Sequence, residues 1–433
     1  MPELTYAVIG AGPSGLAAAR NLQRRGIPWS GYELGDDVGG LWNIDGPRST
    51  VYESAHLISS KRTTEFAEFP MRDEVADYPS HRELLAYFRD FADHFGLRDG
   101  FEFGAEVVLA EPAGEGWDVT VRTAAGERTT RHAGVVVANG TLSEPSVPTF
   151  AGSFDGEVLH TSRYKRASAF AGKRVLVIGA GNSGCDIAVD AVHHAASVDL
   201  SVRRGYYFVP KYLFGKPADT LNQGRPLPPR VKQAVDSRLL RAFTGDPVRF
   251  GFPKPDYKIY ESHPIVNTLV LHHLGHGDIR MRRDVERLDG DGVVFKDGER
   301  GEYDVVVLAT GYRLHYPFLD PALLGWTGDG AQGAPDLHLN VFSKADPNLF
   351  VVGMIEATGI GWQGRYEQAE LVAAYLAARR SSPARAAELE ARVHGPRPDL
   401  SGGYKYLALE RMSYYVNKDA YRAAVRAEIE ELA

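Results

Sequence analysis

Two glycine-rich turns constrain the fold of this chain more than any other feature of its sequence. They occupy residues 10–15 and 179–184, and each has the pattern G-x-G-x-x-G. Each follows a short apolar run, 6–9 or 174–178, and precedes a segment with helical periodicity. A strand, a tight glycine turn and a helix form the start of a β-α-β unit. The sequence therefore predicts an α/β protein that contains two such units.

The end of the first unit suggests what it binds. Its predicted second strand, 29–33, ends in Glu33, about 20 residues beyond the turn. A carboxylate there accepts hydrogen bonds from the ribose of a dinucleotide whose pyrophosphate lies on the helix N-terminus. The residues of the turn predicted to hold that dinucleotide are Gly10, Gly12, Pro13, Ser14 and Gly15.

The second unit has basic residues where the first has an acid. Its second strand, 198–202, is followed directly by Arg203 and Arg204. A solvated strand end is one interpretation, but guanidinium groups at this position bind a 2′-phosphate through charge-assisted hydrogen bonds. We therefore predict NADP rather than NAD in this unit. The predicted NADP-binding residues are Gly179, Gly181, Asn182, Ser183, Gly184, Arg203 and Arg204.

Two dinucleotide sites in one chain indicate a flavin that is reduced by a nicotinamide, with FAD and NADPH as the cofactors. A disulfide reductase would pass the electrons on to a reactive cysteine near the flavin. The only cysteine, Cys185, lies in the helix after the second turn. The sequence therefore excludes a disulfide reductase, and we expect Cys185 to be a small buried residue.

Composition limits the partners of the chain. Its 433 residues are 44% hydrophobic and 24% charged, as in globular enzymes and unlike disordered chains. A net charge of −7, without long runs of one sign, argues against binding to nucleic acid. Neither a signal-peptide pattern nor an uninterrupted run of about 18 apolar residues occurs. We expect a soluble, cytoplasmic protein that does not bind a membrane.

Further motifs resemble those of the flavin-containing monooxygenases. Residues 33–42 look like the family's E-x-x-x-x-x-G-G-x-W stretch, and 308–312 resemble its ATGY segment. Residues 154–165 match its F-x-G-x-x-x-H-x-x-x-(Y/F)-(K/R) fingerprint at every fixed position. The related Baeyer–Villiger monooxygenases end this fingerprint in Trp and then Pro or Asp, where this chain has Tyr164 and Lys165. The chain is thus identified as a member of the flavin-containing monooxygenase branch.

This resemblance implies two Rossmann-like dinucleotide-binding domains, with the NADP domain inserted into the FAD domain. We place the first part of the FAD domain at 1–167 and the NADP domain at 168–315, with an excursion at 205–277. The second part of the FAD domain and the C-terminal helices follow at 316–433. Beyond the first turn, the expected FAD-binding residues are Glu33, Gly40, Leu41, Trp42, Val107 and Gly140.

One stretch departs from the family pattern. Many members have a Thr-Asn pair between the positions of Tyr52 and Pro70, and that Asn contacts the flavin and NADP. Counting from both ends aligns Leu57 and Ile58 with the pair. An aliphatic side chain cannot donate the hydrogen bond, so the catalytic residue is unknown. Either the exclusion of water and bound NADP protect the oxygenated flavin, or a neighbouring side chain donates the hydrogen bond instead. The candidate donors are Ser59, Ser60 and Lys61.

The activity that the resemblance implies is oxygenation of a small molecule. NADPH reduces FAD, dioxygen adds at flavin C4a, and a water-poor site protects the resulting (hydro)peroxyflavin. A soft nucleophile, an amine nitrogen or a thioether sulfur, then takes one oxygen atom with little help from side-chain acids or bases. We expect N,N-dimethylaniline monooxygenase activity, and a homodimer is an expected assembly.

Three alternatives stay open. A Baeyer–Villiger enzyme would attack a ketone, and the ending Tyr164-Lys165 argues against it. An uncoupled NADPH oxidase would release hydrogen peroxide, which the aliphatic residue Ile58 favours. A flavin-binding redox sensor or scaffold would bind FAD tightly and consume negligible NADPH.

A group of three histidines and one single histidine have structural interpretations. His272, His273 and His276 are close in sequence, but no nearby Asp or Glu pattern completes a metal site. We therefore expect no metal. We expect His160, in the fingerprint, to orient its own segment.

Overall fold

Each glycine turn joins a short strand to a helix, as the sequence predicts. The computed structural model describes residues 3–221, 227–326 and 333–433, so residues 222–226 of the predicted excursion lie outside the described residues. The strands of the described ranges are β1 (Tyr6–Ile9), β2 (Trp29–Glu33), β3 (Phe101–Phe103), β4 (Glu106–Ala113), β5 (Gly116–Thr123), β6 (Gly126–His132), β7 (Gly134–Val137), β8 (Glu144–Pro145), β9 (Glu157–His160), β10 (Arg174–Ile178), β11 (Ser197–Ser201), β12 (Tyr212–Leu213), β13 (Lys216–Pro217), β14 (Ile279–Arg282), β15 (Val285–Asp289), β16 (Gly292–Phe295), β17 (Arg300–Glu302), β18 (Val305–Leu308), β19 (Tyr312–Arg313) and β20 (Leu349–Val351). The α-helices are α1 (Pro13–Arg24), α2 (Lys61–Thr64), α3 (His81–His94), α4 (Asn182–Val192), α5 (Pro229–Thr244), α6 (Leu269–His276), α7 (Gly361–Ser381), α8 (Pro383–Val393) and α9 (Lys418–Leu432).

The chain forms two compact units, one inserted into the other. The first unit comprises Met1–Ser49, Lys61–Ser143 and Leu314–Ala433. The second comprises Thr50–Ser60 and Glu144–Arg313. The structure therefore confirms the α/β fold class and the insertion.

The limits of the units differ from the boundaries placed from the sequence at 167 and 315. Strand β9 pairs in parallel with β18, so part of the chain before residue 168 already belongs to the second sheet. The segment Thr50–Ser60 also belongs to the second unit. Strand pairing and side-chain contacts between distant positions set these limits, and neither is visible in a local sequence pattern.

The first unit is built on a parallel sheet with the strand order β20-β7-β1-β2-β3. Strand β1, with the sequence Tyr-Ala-Val-Ile, is buried along its whole length, as expected for a central parallel strand. Helix α1 packs against β1, β2 and α7. An antiparallel sheet, β4-β5-β6, buries Trp117 and Val119 in the same hydrophobic core.

The second unit repeats this plan with the order β14-β11-β10-β18-β9, again all parallel. Helix α4 follows β10 and packs against β10, β11 and α6. A small antiparallel sheet, β15-β16-β17, contributes Val293 and Phe295 to the core formed with Leu176 and Val306. Each unit therefore presents a glycine turn at the carboxyl edge of a parallel sheet, where such folds bind ligands.

Within residues 3–221, 227–326 and 333–433, no helix is both long enough and apolar enough to span a membrane.

Candidate functional site

The three glycines of the first turn have different steric roles. Gly10 has φ = +103°, and a Cβ there would lie 2.8 Å from the carbonyl oxygen of Ala138. A Cβ on Gly15 would lie 1.8 Å from the carbonyl oxygen of Gly10, so α1 can approach β1 only with glycine at this position. A Cβ on Gly12 would make an ordinary contact of 3.6 Å with Gly40 Cα. Close packing therefore explains why positions 10 and 15 require glycine, whereas the space next to Gly12 leaves room for a ligand.

The N-terminus of α1 faces the space next to Gly12. Gly12 is the N-cap residue, and no side chain of the described residues caps the helix. The first N–H groups of a helix lack intrahelical partners and carry the positive end of its dipole. This end of α1 is therefore suited to bind a pyrophosphate.

Glu33, at the end of β2, connects the second strand to the turn. Its Oε2 accepts a hydrogen bond of 2.6 Å from the N–H of Ala11, and its Oε1 accepts one of 2.8 Å from the N–H of Gly35. Burial raises the pKa of Glu33, and the backbone N–H donors partly oppose that change. The N–H of Leu34 is a third backbone donor to this carboxylate. A carboxylate offers about four acceptor sites, so Glu33 can still accept a further hydrogen bond, as binding to ribose hydroxyls requires.

A cavity lies at the carboxyl ends of β1, β2 and β7, and we refer to it as the first-turn cavity. The predicted FAD-binding residues that line it are Gly10, Gly12, Pro13, Ser14, Glu33, Gly40, Leu41, Val107 and Gly140. The other two predicted residues, Gly15 and Trp42, are not among its lining residues. Gly15 has the packing role described above, and Trp42 makes an edge contact with Trp362, with ring centroids 6.0 Å apart.

Several residues of the first-turn cavity were not predicted from the sequence. Asn139 and His315 both line it, and Asn139 Nδ2 donates a hydrogen bond of 2.8 Å to the carbonyl oxygen of His315. Asp37 lines it as well, and hydrogen bonds from Arg98 and Arg89 outweigh its burial and lower its pKa. Asn139 lies two residues beyond the end of strand β7, and that position at a carboxyl end was the signal that could have identified it.

The second turn repeats the steric pattern of the first. Gly179 has φ = +105°, and a Cβ there would lie 2.4 Å from the carbonyl oxygen of Ala309. A Cβ on Gly184 would lie 2.0 Å from the carbonyl oxygen of Gly179. Around Gly181, by contrast, no atom of the described chain lies within 4 Å of the position that a Cβ would take. The middle glycine again leaves open space in front of a helix.

Helix α4 begins directly after Gly181, its N-cap residue, without a side-chain cap from the described residues. Asn182 holds the turn from the protein side, since its Oδ1 accepts a hydrogen bond of 2.8 Å from the N–H of Val266. Ser183, the next residue of α4, is half-buried. The free N–H groups at this end of α4 can bind a phosphate as those of α1 can.

Arg203 and Arg204 lie at the same edge of the sheet as the second turn. The N–H of Gly179 donates a hydrogen bond of 2.9 Å to the carbonyl oxygen of Ser201, which fixes the end of β11 beside the turn. Arg203 is exposed and Arg204 is half-buried. A ligand at this edge of the sheet can therefore reach both positions from solvent.

Cys185 is fully buried in α4, as the sequence predicts. Burial raises the pKa of its thiol well above the ordinary value. Its Sγ lies 3.6 Å from the carbonyl oxygen of Ala180. A buried, protonated thiol is a packing residue and not a redox group.

The segment Thr50–Ser60, which contains Ile58, is attached to α4 by hydrogen bonds to two aspartates. The Tyr52 hydroxyl donates to Asp186 Oδ2 at 2.9 Å. Ser54 donates to Asp190, which also accepts a bond of 2.9 Å from the Tyr164 hydroxyl. Burial raises the pKa of Asp186, against hydrogen bonds from Asn267 and Tyr52. The helix that begins at the second turn therefore fixes this segment.

Further contacts hold the segment at both ends. Lys165 Nζ donates to the carbonyl oxygen of Val51 at 3.2 Å, and Lys211 Nζ donates to that of Leu57 at 3.1 Å. The N–H of Ser60 donates to Asp219 Oδ2 at 2.7 Å. Tyr164 and Lys165, which end the fingerprint, thus have a common role in holding the segment Thr50–Ser60.

The candidate donors near Ile58 are held in different ways. Lys61 lies in the first unit, where its ammonium group donates to the carbonyl oxygens of Arg72, Asp73 and Val75. An ammonium group has three hydrogens, and these three bonds use all of them. Ser60 is buried and Ser59 is half-buried, and both take part in polar interactions of the chain. Ile58 is half-buried and supplies no donor.

His160 connects two parts of the second unit. Its Nε2 lies 3.0 Å from the carbonyl oxygen of Gly311, and its Nδ1 lies 3.1 Å from Ser162 Oγ. Burial lowers the pKa of His160. The neutral imidazole joins the end of β9 to the ATGY segment, which is the orienting role expected from the sequence.

The chain is similar to several known proteins. Flavin-containing monooxygenase 5 of Oryctolagus cuniculus is 31% identical over 378 residues, which cover 82% of this chain and 69% of that protein. Dimethylaniline monooxygenase (N-oxide-forming) 2 of Rattus norvegicus is 33% identical over 378 residues, with the same coverage of 82% and 69%. The structure of cyclohexanone monooxygenase with bound cyclohexanone has a TM-score of 0.73 at 21% identity, covering 98% of this chain and 97% of that one, which shows a shared fold.

The family described as FMO-like, flavin-binding monooxygenase-like, has a sequence profile that matches residues 4–390. This match covers both glycine turns, the fingerprint and the ATGY segment. The chain therefore belongs to the flavin-binding monooxygenase-like family, whose enzymes use FAD and NADPH.

Proposed function

We propose that this enzyme is an NADPH-dependent monooxygenase that transfers one oxygen atom to an amine nitrogen or a thioether sulfur of a small molecule. The observation that carries the proposal is the repeated turn. Each middle glycine leaves open space before a helix without a side-chain cap. The two second strands differ, because β2 ends in Glu33 whereas Arg203 and Arg204 follow shortly after the end of β11. This difference supports one site for FAD and one for NADPH.

In the first unit, the pyrophosphate of FAD binds to the N–H groups at the start of α1, next to Gly12. The carboxylate of Glu33 accepts hydrogen bonds from the ribose hydroxyl groups. Asn139 and His315 are additional contacts, because both line the first-turn cavity. The open space at Gly12 and the remaining lone pairs of Glu33 fit a dinucleotide.

In the second unit, the NADPH pyrophosphate binds to the start of α4, next to Gly181. Arg203 and Arg204 bind the 2′-phosphate, which is the group that distinguishes NADPH from NADH. Asn182 supports the turn through its bond to the N–H of Val266. These assignments rest on the open space at Gly181 and on the position of both arginines beside the turn.

When bound, FAD supplies the redox chemistry, taking a hydride from NADPH and activating dioxygen. The residues of this chain bind, orient and shelter the reactants. Oxygen transfer to a soft nucleophile does not require a side-chain base, so the proposal needs no catalytic triad. The N-oxide-forming relative supports nitrogen as one of the atoms oxygenated.

The test is a substrate screen with complete accounting for NADPH. Purified protein loaded with FAD is incubated with N,N-dimethylaniline, an alkyl aryl sulfide or cyclohexanone. NADPH consumption, oxygenated product and hydrogen peroxide are measured together. We expect N-oxide or sulfoxide in proportion to the NADPH consumed. A lactone from the ketone, without N-oxide or sulfoxide, would instead identify a Baeyer–Villiger enzyme. Tight FAD binding with negligible NADPH consumption would identify a redox sensor.

A second candidate function is an NADPH oxidase that releases hydrogen peroxide. Two observations favour it: Ile58 stands at the position of the family Asn, and backbone carbonyls take up all three hydrogens of Lys61. In this case peroxide would account for nearly all NADPH consumed, with every substrate of the screen. The predicted homodimer is a separate proposal, to be checked by light scattering.

A further inference from the structure

Three side chains with metal-binding groups meet at the end of α6 in the second unit. Asp278 Oδ2 lies 2.9 Å from His273 Nδ1 and 3.6 Å from His276 Nδ1. One ligand atom from each of the three residues lies within 4.8 Å of the other two. A further imidazole, that of His193, lies beside the group, with its ring centroid 5.7 Å from that of His273.

The backbone explains why these residues meet. His273 and His276 are three positions apart on the last turn of α6, so their side chains lie on one face of the helix. Gly277 then adopts φ = +83°, a conformation that favours glycine, and reverses the chain. The N–H of Asp278 donates to the carbonyl oxygen of His273 at 2.9 Å, which returns the carboxylate to the histidines.

We propose that His273, His276 and Asp278 bind a divalent transition-metal ion, namely zinc, which imidazole and carboxylate ligands suit. Two imidazoles and one carboxylate suit such an ion better than magnesium or calcium, which prefer oxygen ligands. The sequence predicted no metal, because no acidic pattern near the histidines was apparent. The structure supplies the missing carboxylate as Asp278.

The distances fit this proposal after small side-chain movements. Zinc lies about 2.0–2.2 Å from nitrogen and oxygen ligands, so neighbouring ligand atoms of a tetrahedral site are about 3.4 Å apart. The observed 2.9 Å and 3.6 Å between Asp278 and the two histidines bracket that value. In the metal-bound state the ion takes the place of the hydrogen bond between His273 and Asp278. Water completes the coordination, since His276 and Asp278 are exposed.

Two arginines of the neighbouring strand β14 have acidic partners, so their charge is partly balanced by carboxylates. Arg280 lies 3.6 Å from Glu299, and Arg282 is paired with Asp199 and the same Glu299.

The position of the cluster separates it from the proposed cofactor chemistry. Asp278 immediately precedes β14, at the amino edge of the parallel sheet, whereas the second turn follows β10 at the carboxyl edge. An ion here would connect the end of α6 to the start of β14. It would stabilise the second unit without contacting the glycine turn.

The experiment measures binding of the metal itself to the full-length, FAD-loaded enzyme without a histidine tag. Zinc affinity is obtained by competition with a chromogenic chelator at neutral pH, and cobalt is titrated to record the absorption of its coordination sphere. We expect one ion per chain. We expect H273Q and D278N each to weaken binding by at least about 10- to 100-fold, the range for loss of a supporting partner alone. Zinc should raise the thermal unfolding midpoint of the wild type and not that of these variants.

The matched control is H272Q, which removes the neighbouring exposed histidine of the same helix and should bind zinc like the wild type. H276Q, at a more exposed position, covers the case in which H273Q does not fold. The proposal is overturned if the wild type binds no zinc, if H273Q, H276Q and D278N bind like H272Q, or if magnesium binds as tightly as zinc. NADPH consumption by all variants should equal that of the wild type.

Discussion

Tyr52 and Asp186 are 134 positions apart in the chain and are joined by a hydrogen bond of 2.9 Å from the phenolic hydroxyl to Oδ2. Tyr52 is buried, and Asp186 belongs to the first turns of α4. The bond links the stretch that contains Ile58 to the helix at which NADPH is proposed to bind. The position of Ile58 thus depends on a residue of the second unit.

Replacing Tyr52 by Phe should destabilise the protein. The substitution removes one hydrogen bond to a buried carboxylate, which corresponds to about 1.5–3 kcal/mol in the free energy of unfolding. Thermal or urea unfolding would measure the loss. In a double-mutant cycle with D186N, the losses of unfolding free energy in the two single variants should sum to more than the loss in the double variant. Strict additivity would contradict a contribution from this bond.

Within the second turn, replacing glycine by alanine should have different effects at Gly181 and at Gly184. G181A should fold normally, because no described atom lies within 4 Å of the new Cβ, but should raise KM for NADPH about tenfold or more. G184A should destabilise the protein, because its Cβ would lie 2.0 Å from the carbonyl oxygen of Gly179. Unfolding temperatures and NADPH kinetics of both variants provide the check. Equal unfolding temperatures would refute this account of the turn.

Removing Arg203 and Arg204 should reduce the preference for NADPH over NADH. Each charge-assisted bond to a 2′-phosphate contributes about 1.5–3 kcal/mol, so each alanine substitution should lower kcat/KM for NADPH by about 10- to 100-fold. The kcat/KM for NADH should change little. R230A, which removes an exposed arginine of α5, is the matched control. A parallel loss with both nucleotides would show that the arginines act only on folding.

Replacing Ile58 by Asn tests the second candidate function. Ile58 is half-buried, so a polar side chain of similar size is tolerated there. An amide would supply the donor that the aliphatic side chain lacks. We expect I58N to lower the fraction of NADPH that ends as hydrogen peroxide, and I58L, which supplies no donor, to leave it unchanged. An equal peroxide yield from both variants would show that the residue at position 58 does not determine how much NADPH ends as hydrogen peroxide.

His338 should make stability depend on pH in mildly acidic solution. Its Nε2 is buried without a hydrogen-bond partner among the described residues, and burial, followed by the charges of Lys344 and Arg392, lowers its pKa to about 4. The unfolded chain, with an ordinary histidine pKa near 6.5, then binds a proton that the folded chain does not. Stability from this residue is present above about pH 6.5 and falls by up to about 3 kcal/mol as the pH drops to about 4.

H338Q should flatten this dependence, which urea unfolding across the same pH range would measure. H394Q, at an exposed histidine of the same unit, serves as the control and should retain the slope of the wild type. If H338Q and the wild type lose stability in parallel, His338 is not the group that binds the proton.

Local patterns predicted the fold and the centre of each turn. Gly10, Gly12 and Gly15 were identifiable because strand, turn and helix are consecutive in the sequence. Glu33 was identifiable because the crossover length of a β-α-β unit is narrow. The fold class followed from these two features, since a parallel sheet with inserted helices is what repeated β-α-β units form.

Residues brought together from distant positions could not be predicted in the same way. His315 reaches the first-turn cavity only because the chain returns to the first unit after the insertion. The segment Thr50–Ser60 joins the second unit through side chains such as Tyr52, and no periodicity reports such a bond. Asp278 meets His273 because Gly277 reverses the chain, a backbone conformation that the sequence permits but does not specify.

The order in which the ribosome makes the two units differs from the order in which they can be completed. The chain passes between them at 49/50, 60/61, 143/144 and 313/314. By the time residue 313 has been made, all parts of the second unit exist, whereas β20, which pairs with β7 at the edge of the first sheet, is still to come. Domains generally fold as units during synthesis. The first unit, which contains the start of the chain, is therefore completed last. Its parallel sheet gains β20 only after all parts of the second unit, which is proposed to bind the nicotinamide, have been synthesised.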